Sequence, residues 1–244
     1  MTSTPDLSRL DDIDGPDLEE LGGFTDDTAP NPVDFVVFDI GNVLIRWEPL
    51  LALEPVVGRE RADAFLAEAA IDFHGRNLRA DGGTPWSEIV AELTEHDAAV
   101  GEVGQAYVDH YADAIREPID GTVAILRELH EAQVPLFAVT NFSAELFPIA
   151  RELHDFLELF EEIIVSGEEG VTKPDPEMWE ILEEVTRHIG GLEDAVFIDD
   201  SSANVMSAEQ AGLDALLFTD PDTLRDELLL RGLPLAPIVR DCRR

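Results

Sequence analysis

Lys173 is the only lysine among the 16 basic residues of this chain. Arginine presents a planar fork, whereas lysine is a compact point charge that can sit between two anions. Three polar groups elsewhere in the chain close apolar runs: Asp39 after VVF, Thr140 with Asn141 after FAV, and Asp199 with Asp200 after VFI. If those runs are strands of one parallel sheet, their carboxyl ends share a rim where ligands bind. Three carboxylates, a hydroxyl, an amide and the lone lysine of the loop VTKPDP then gather without being neighbours in sequence. Taken singly, each has a plainer explanation. Asp39-Ile40-Gly41-Asn42 reads as a strand-to-turn exit, and Lys173-Pro174-Asp175-Pro176 as a rigid turn. The Asp199 and Thr140 groups read as helix caps. Their joint placement at the ends of successive runs favours the chemical reading.

The elements that would position them follow from the apolar pattern. VDFVVFDI (33–40), PLFAVTN (135–141), EIIVSG (162–167), AVFIDD (195–200) and ALLFTD (215–220) are continuous rather than alternating, as suits strands covered on both faces. Amphipathic stretches at 121–133, 143–157, 176–190 and 202–212 predict helices between them, the last stopped by a glycine. This alternation predicts a doubly wound α/β fold with a parallel sheet. One connection breaks the rhythm. Residues 47–117 hold only helical patterns (59–70, 87–99, 104–115), so an all-helical cap is expected after the first strand, over the carboxyl rim. The core is then 33–46 with 118–232, flanked by a disordered acidic tail (1–32) and a C-terminal tail (233–244).

Composition narrows the partners. With 53 acidic and 16 basic residues the formal charge is −37, which repels nucleic acid and anionic membranes. It also repels an anionic substrate at long range, so a phosphate site must be built locally from cations. No apolar run reaches the roughly 18 residues of a membrane span, and the N-terminus lacks signal-peptide character. Cys242 is the only cysteine, so no internal disulfide and no cysteine-built metal site is expected, in keeping with a reducing cytoplasm. Oligomeric state is not legible.

The ordered set VVFDIGNV, FAVTN, KPDP and VFIDDSSAN resembles the four motifs of the haloacid dehalogenase superfamily, over about three quarters of the chain. The string FDIGNVL is similar to a branch that includes sugar-phosphate phosphatases. The resemblance implies a Mg²⁺-dependent phosphatase of small phosphate esters in which Asp39 attacks phosphorus and forms an aspartyl-phosphate. It implies Asp39, Asp200 and the Gly41 carbonyl as metal ligands, Asp200 being preferred for its four-residue spacing to Asn204. Asp199 would orient Lys173. Thr140 and the Asn141 backbone N–H would hold phosphate oxygens, and Lys173 would neutralise nucleophile and transferring group together.

One position departs from the family pattern. Phosphatases of this kind commonly carry a general-acid Asp two residues after the nucleophile, where this chain has Gly41. A good leaving group, or an acid from the cap with His74 and Asp81 as candidates, would answer for it. Otherwise the reaction is different: 2-haloacid dehalogenases also lack that Asp, because halide needs no proton. A catalytically silent module that kept the fold is the reading from another class. For substrate contacts the expected residues are Arg46 with Trp47 after the first motif, and Arg76, Asn77, Arg79, Asp81 and Trp86 of DFHGRNLRADGGTPW, read as a polar loop.

Overall fold

The computed structural model describes Pro30 and residues 32–237. The expected acidic tail and Cys242 therefore lie outside the described residues, apart from Pro30 and Pro32. Five strands form one parallel sheet: β1 (Phe35–Phe38), β2 (Leu136–Thr140), β3 (Glu162–Val165), β4 (Ala195–Asp199) and β5 (Asp214–Leu217), in the order β3-β2-β1-β4-β5. The central strand β1 aligns Val36 with Leu136 on one side and with Val196 on the other. All four of its residues are buried, whereas edge strand β5 is partly exposed. This is why the central runs read as continuous apolar segments: both faces are covered.

Between β1 and β2 lie seven helices and no strand, the first six forming the insertion: α1 (Pro49–Val57), α2 (Arg59–Ala67), α3 (Phe73–Asp81), α4 (Trp86–His96), α5 (Ala98–Asp109) and α6 (Tyr111–Ala114). The core continues with α7 (Asp120–Glu131), α8 (Phe147–Leu153), α9 (Ser166–Glu169), α10 (Glu177–Thr186), α11 (Ser202–Ala211) and α12 (Pro221–Leu230). The architecture is a doubly wound α/β core carrying an all-helical insertion. One face of the sheet buries Phe35, Val37, Phe137 and Phe197 against Met178, Trp179 and Leu182 of α10. The other packs Val36 and Phe38 with residues of α7, α8 and α12 and is continuous with the apolar interior of the insertion. No helix among the described residues is long and apolar enough to cross a membrane.

Three expectations change. The segment 72–86 is not a loop throughout: Asp72 caps α3 by accepting a hydrogen bond from Gly75 N at 3.2 Å, and only the turn after Asp81 is irregular. α1 and α12 were not expected; PLLALEPVV has no polar face and carries Pro55 inside the helix. Residues 233–236 do not leave the core as a tail: Leu233 and Leu235 are buried, and the Ala236 backbone N–H donates to Glu128.

Candidate active site

β1 ends at Phe38, and Asp39 follows at the carboxyl rim with its N–H on the Ile198 carbonyl at 2.8 Å. Its Oδ1 accepts from the Ile40 N–H at 2.7 Å. The adjacent turn brings Asn42 to a φ of 54°, a left-handed conformation that asparagine tolerates better than most side chains. There its Oδ1 receives the Trp47 N–H at 3.1 Å. The chain is thus fixed as it leaves β1 and enters the insertion.

Lys173 is 1% exposed, and its ammonium is used completely. Nζ lies 3.0 Å from Asp39 Oδ1 and 2.7 Å from Asp199 Oδ2, and donates to the Val139 carbonyl at 2.8 Å. Three donors meet three acceptors, two of them anionic, as the lone compact charge suggested. Asn141 secures the loop reciprocally: its Nδ2 donates to the Lys173 carbonyl at 2.9 Å and its Oδ1 accepts from the Lys173 N–H at 2.8 Å. Asp199, at the end of β4, is saturated. Its Oδ1 accepts from Ser201 N at 2.8 Å and Asn204 Nδ2 at 3.0 Å, while Lys173 holds Oδ2. Asn204 accordingly bonds Asp199 in the described structure.

Asp39 and Asp200 line one cavity of about 180 Å³ at the rim. Carboxylate oxygens of Asp39, Asp199 and Asp200 lie within 4.8 Å of one another. Burial pushes the Asp39 carboxyl up to about 7; Lys173 opposes this and Asp199 adds to it. Burial and then Asp199 also raise Asp200. Carboxylates crowded this closely with one shared ammonium are short of positive charge.

A haloacid dehalogenase-like hydrolase model matches residues 33–212. The chain belongs to this family. The match holds every residue of the site just described. Among its relatives, the sesquiterpene phosphatase astK of Aspergillus oryzae is 28% identical over 193 residues, covering 75% of this chain and 89% of the relative. A phosphoglycolate phosphatase of Photobacterium profundum is 25% identical over 188 residues, covering 73% and 80%. A solved HAD family enzyme of Bacteroides thetaiotaomicron shares the fold at a TM-score of 0.62 and 16% identity, covering 78% of this chain and 95% of that one. The same enzyme is known as a complex with magnesium and inorganic phosphate. This chain is a hydrolase whose matched relatives over most of its length are named phosphatases.

The helical insertion follows β1 and supplies one wall of the cavity. Asn77 and Asp81 from α3, Tyr111 from α6 and Ile115 face Asp39, with Ile45, Trp47 and Phe142 completing an apolar side. Of the residues expected from sequence, Asp39, Gly41, Asn141, Asp200, Asn77, Asp81 and Trp47 reach this cavity. Lys173, Asp199 and Thr140 lie buried behind it. Arg46, Arg76 and His74 do not arrive. Arg46 is exposed with its backbone N–H on the Glu117 carbonyl. Arg76 is spent inside the insertion, on the Ile71 carbonyl at 2.8 Å and Glu92 at 2.7 Å. His74 is exposed, with its ring against Trp47 and Phe73, and does not line the cavity. Arg79 pairs with the same Glu92 at 2.7 Å, and Trp86 is buried against Tyr107. Asn42, Ile45, Tyr111, Ile115 and Phe142 were missed. An α3 register of 73, 77, 80 and 81 on one face is the signal that would have separated Asn77 and Asp81 from the rest.

The donor set suits a hard divalent cation: oxygen ligands, two of them carboxylates, with room beside them. Asp199 is excluded as first choice because its oxygens are already bonded, which leaves Asp39 and Asp200 with the Gly41 carbonyl.

Asp81 is buried, and burial followed by repulsion from Asp39 pushes its carboxyl up to about 7. A carboxyl whose folded value exceeds its unfolded one favours folding while protonated, and that contribution disappears as pH rises through the folded value. Without metal, Asp81→Asn should therefore melt higher than wild type at pH 8 and similarly at pH 4. The difference should grow between about pH 4 and 7, toward an upper bound of about 4 kcal/mol. Melting curves in chelator check this; a difference independent of pH would refute the burial of a charge there.

Proposed function

We propose that this chain hydrolyses small phosphate monoesters through an aspartyl-phosphate on Asp39, with Mg²⁺ held by Asp39, Asp200 and the Gly41 carbonyl. The observation that carries the reading is the ammonium of Lys173 clamped between Asp39 and Asp199, at 3.0 and 2.7 Å. An attacking carboxylate approaching an anionic phosphate needs positive charge fixed in advance, and a buried, fully bonded lysine supplies it without reorganisation. Mg²⁺, when bound, would offset the remaining negative charge on Asp39 and the phosphate oxygens. Thr140 Oγ1 is buried at the rim without a hydrogen-bond partner, a cost of roughly 1–3 kcal/mol that a phosphate oxygen would relieve. In this reading the Asn141 N–H is a second donor, and Lys173 acts on the phosphoryl group through Asp39 rather than by touching it.

The lining bears on the alcohol. Ile45, Trp47, Tyr111, Ile115 and Phe142 make an apolar wall, while Asn42, Asn77, Asp81, Asn141 and Asn204 add polar groups to the lining beside Asp39 and Asp200. A leaving alcohol with a large apolar face fits this wall better than a sugar hydroxylated all round, and the relative named as a sesquiterpene phosphatase points the same way. Haloacid dehalogenation is the second reading, favoured by the missing side chain at Gly41. Halide displacement has no use for the crowded Asp200, and this ranks it second.

The deciding experiment measures phosphate and halide release with and without Mg²⁺. The panel is a prenyl phosphate, glucose 1-phosphate, phosphoglycolate, p-nitrophenyl phosphate and 2-chloropropionate, at low and high salt. Magnesium-dependent phosphate release is expected, fastest on an ester with an apolar alcohol. Metal-independent halide release would replace this reading, and no turnover of any compound would favour a silent binding module.

A further inference from the structure

We propose that Asp81, supplied by the insertion, is the proton donor to the departing oxygen and fills the role that Gly41 has no side chain to perform. The inference rests on the phosphatase reading above and deepens it.

An alkoxide leaving phosphorus must be protonated as the bond breaks, and a positioned acid contributes roughly 10²–10⁴-fold to such a step. The residues on the page leave few candidates. Asp39 is the nucleophile, Asp200 is assigned to the metal, and Asp199 is closed off behind the site by Lys173, Asn204 and Ser201. Gly41 brings nothing. A Cβ built there meets no atom within 4 Å, so the gap is open cavity rather than a packing requirement. The remaining proton carriers that line the cavity are Asp81 and Tyr111. Burial, then Tyr107 and Asp81, hold the Tyr111 phenol far above its ordinary range, which leaves it a poor acid.

Asp81 is held in place from both sides of the cavity. Its carboxyl accepts from Asn77 Nδ2 at 2.8 Å, one turn back on α3, and from the Ser143 N–H of the loop after β2. Its backbone carbonyl accepts from Ser166 Oγ at 2.6 Å, tying the end of α3 to the start of α9 directly after β3. The Ser143 and Ser166 bonds join insertion and core, so the acid is fixed relative to Asp39. The groups facing it are Asp39 from the sheet, Tyr107 from α5 and Tyr111 from α6. The arginines of its own helix turn away to Glu92, and Lys173 is engaged elsewhere. An uncompensated buried carboxyl of this kind keeps its proton near neutrality.

The step balances. Asp39 Oδ forms a bond to phosphorus, the phosphorus–alkoxide bond breaks with its electron pair on the alcohol oxygen, and that oxygen takes the Asp81 proton. In the second half Asp81, now a carboxylate, receives a proton from the water that attacks the aspartyl-phosphate. Asp39 leaves as carboxylate, and the products are alcohol and inorganic phosphate.

The test compares kcat/KM for p-nitrophenyl phosphate, whose phenolate leaves unprotonated, with that for benzyl phosphate, whose alkoxide does not. In Asp81→Asn the ratio between them should rise by about 10²-fold or more, and Gly41→Asp added to that variant should bring it back toward wild type. p-Nitrophenol should also appear in a burst stoichiometric with enzyme, because loss of the base slows hydrolysis of the aspartyl-phosphate. A ratio within about threefold of wild type would overturn the proposal, since a merely structural role lowers both substrates together. Wild-type enzyme that releases phosphate from neither compound would instead bring down the phosphatase reading, and the inference with it.

Discussion

Asp39→Asn is expected to lower phosphate release by at least about 10⁴-fold, in line with what removal of a hydrolase nucleophile costs, while the protein stays folded. The carboxyl it replaces is buried, hydrogen-bonded to Ile40 N and clamped by Lys173. Asparagine keeps an Oδ1 that can accept both bonds. What it lacks is a nucleophilic oxygen and a charge. The second difference makes the prediction two-sided. Burial pushes the Asp39 carboxyl up to about 7, so the fold favours its protonated form, and that stabilisation is lost as pH rises past that value. In chelator at pH 8 the variant should melt at or above wild type, and Mg²⁺ should raise its melting temperature less, one carboxylate ligand being gone. Parallel turnover and melting measurements separate the cases. Activity within tenfold of wild type would place the nucleophile elsewhere, and a collapsed melting temperature would make the loss of activity uninformative about chemistry.

That such predictions can be drawn from so acidic a chain depends on which features the sequence carries openly. Continuous apolar runs announce strands because burial on both faces demands them, and β1 to β4 lie within the runs read for them. The order β3-β2-β1-β4-β5 is a property of pairing between distant segments, invisible to any local pattern. The rim residues were legible because a strand's end is a local event and the sheet is parallel. The insertion was not legible in the same way. Arg76, Asn77, Arg79 and Asp81 are equally polar in sequence, and which of them faces Asp39 depends on how α3 is rotated. Buried Phe73 and Ala80 set that rotation, and it sends both arginines to Glu92 and Asp81 inward. Phe142 and Tyr111 join the cavity wall from different elements, and neither stands out among the apolar residues around it.

Lys173 ties these levels together and is where the second large effect is expected. Lys173→Met roughly preserves the length of the side chain and removes its charge, leaving the buried Asp39 and Asp199 facing each other without their shared cation. Breaking a buried pair by deleting one partner typically costs about 3–5 kcal/mol, which for a chain of this size corresponds to a melting temperature lower by roughly 6–20 °C. Because Lys173 holds the Asp39 carboxyl down against burial, its loss should drive that carboxyl higher still. Residual turnover should then shift to more alkaline pH, as well as falling by about 10²–10³-fold through lost electrostatic stabilisation. Lys173→Arg is the sharper comparison. Arginine keeps the charge, but its planar fork must be forced into a fully buried space 5.4 Å from the Phe197 ring, at an overpacking cost of about 1–3 kcal/mol. It should recover part of the stability and little of the activity. Wild-type turnover in Lys173→Arg would show that any cation serves there, and the survival of a single lysine where every other Lys or Arg position is arginine would lose its chemical explanation.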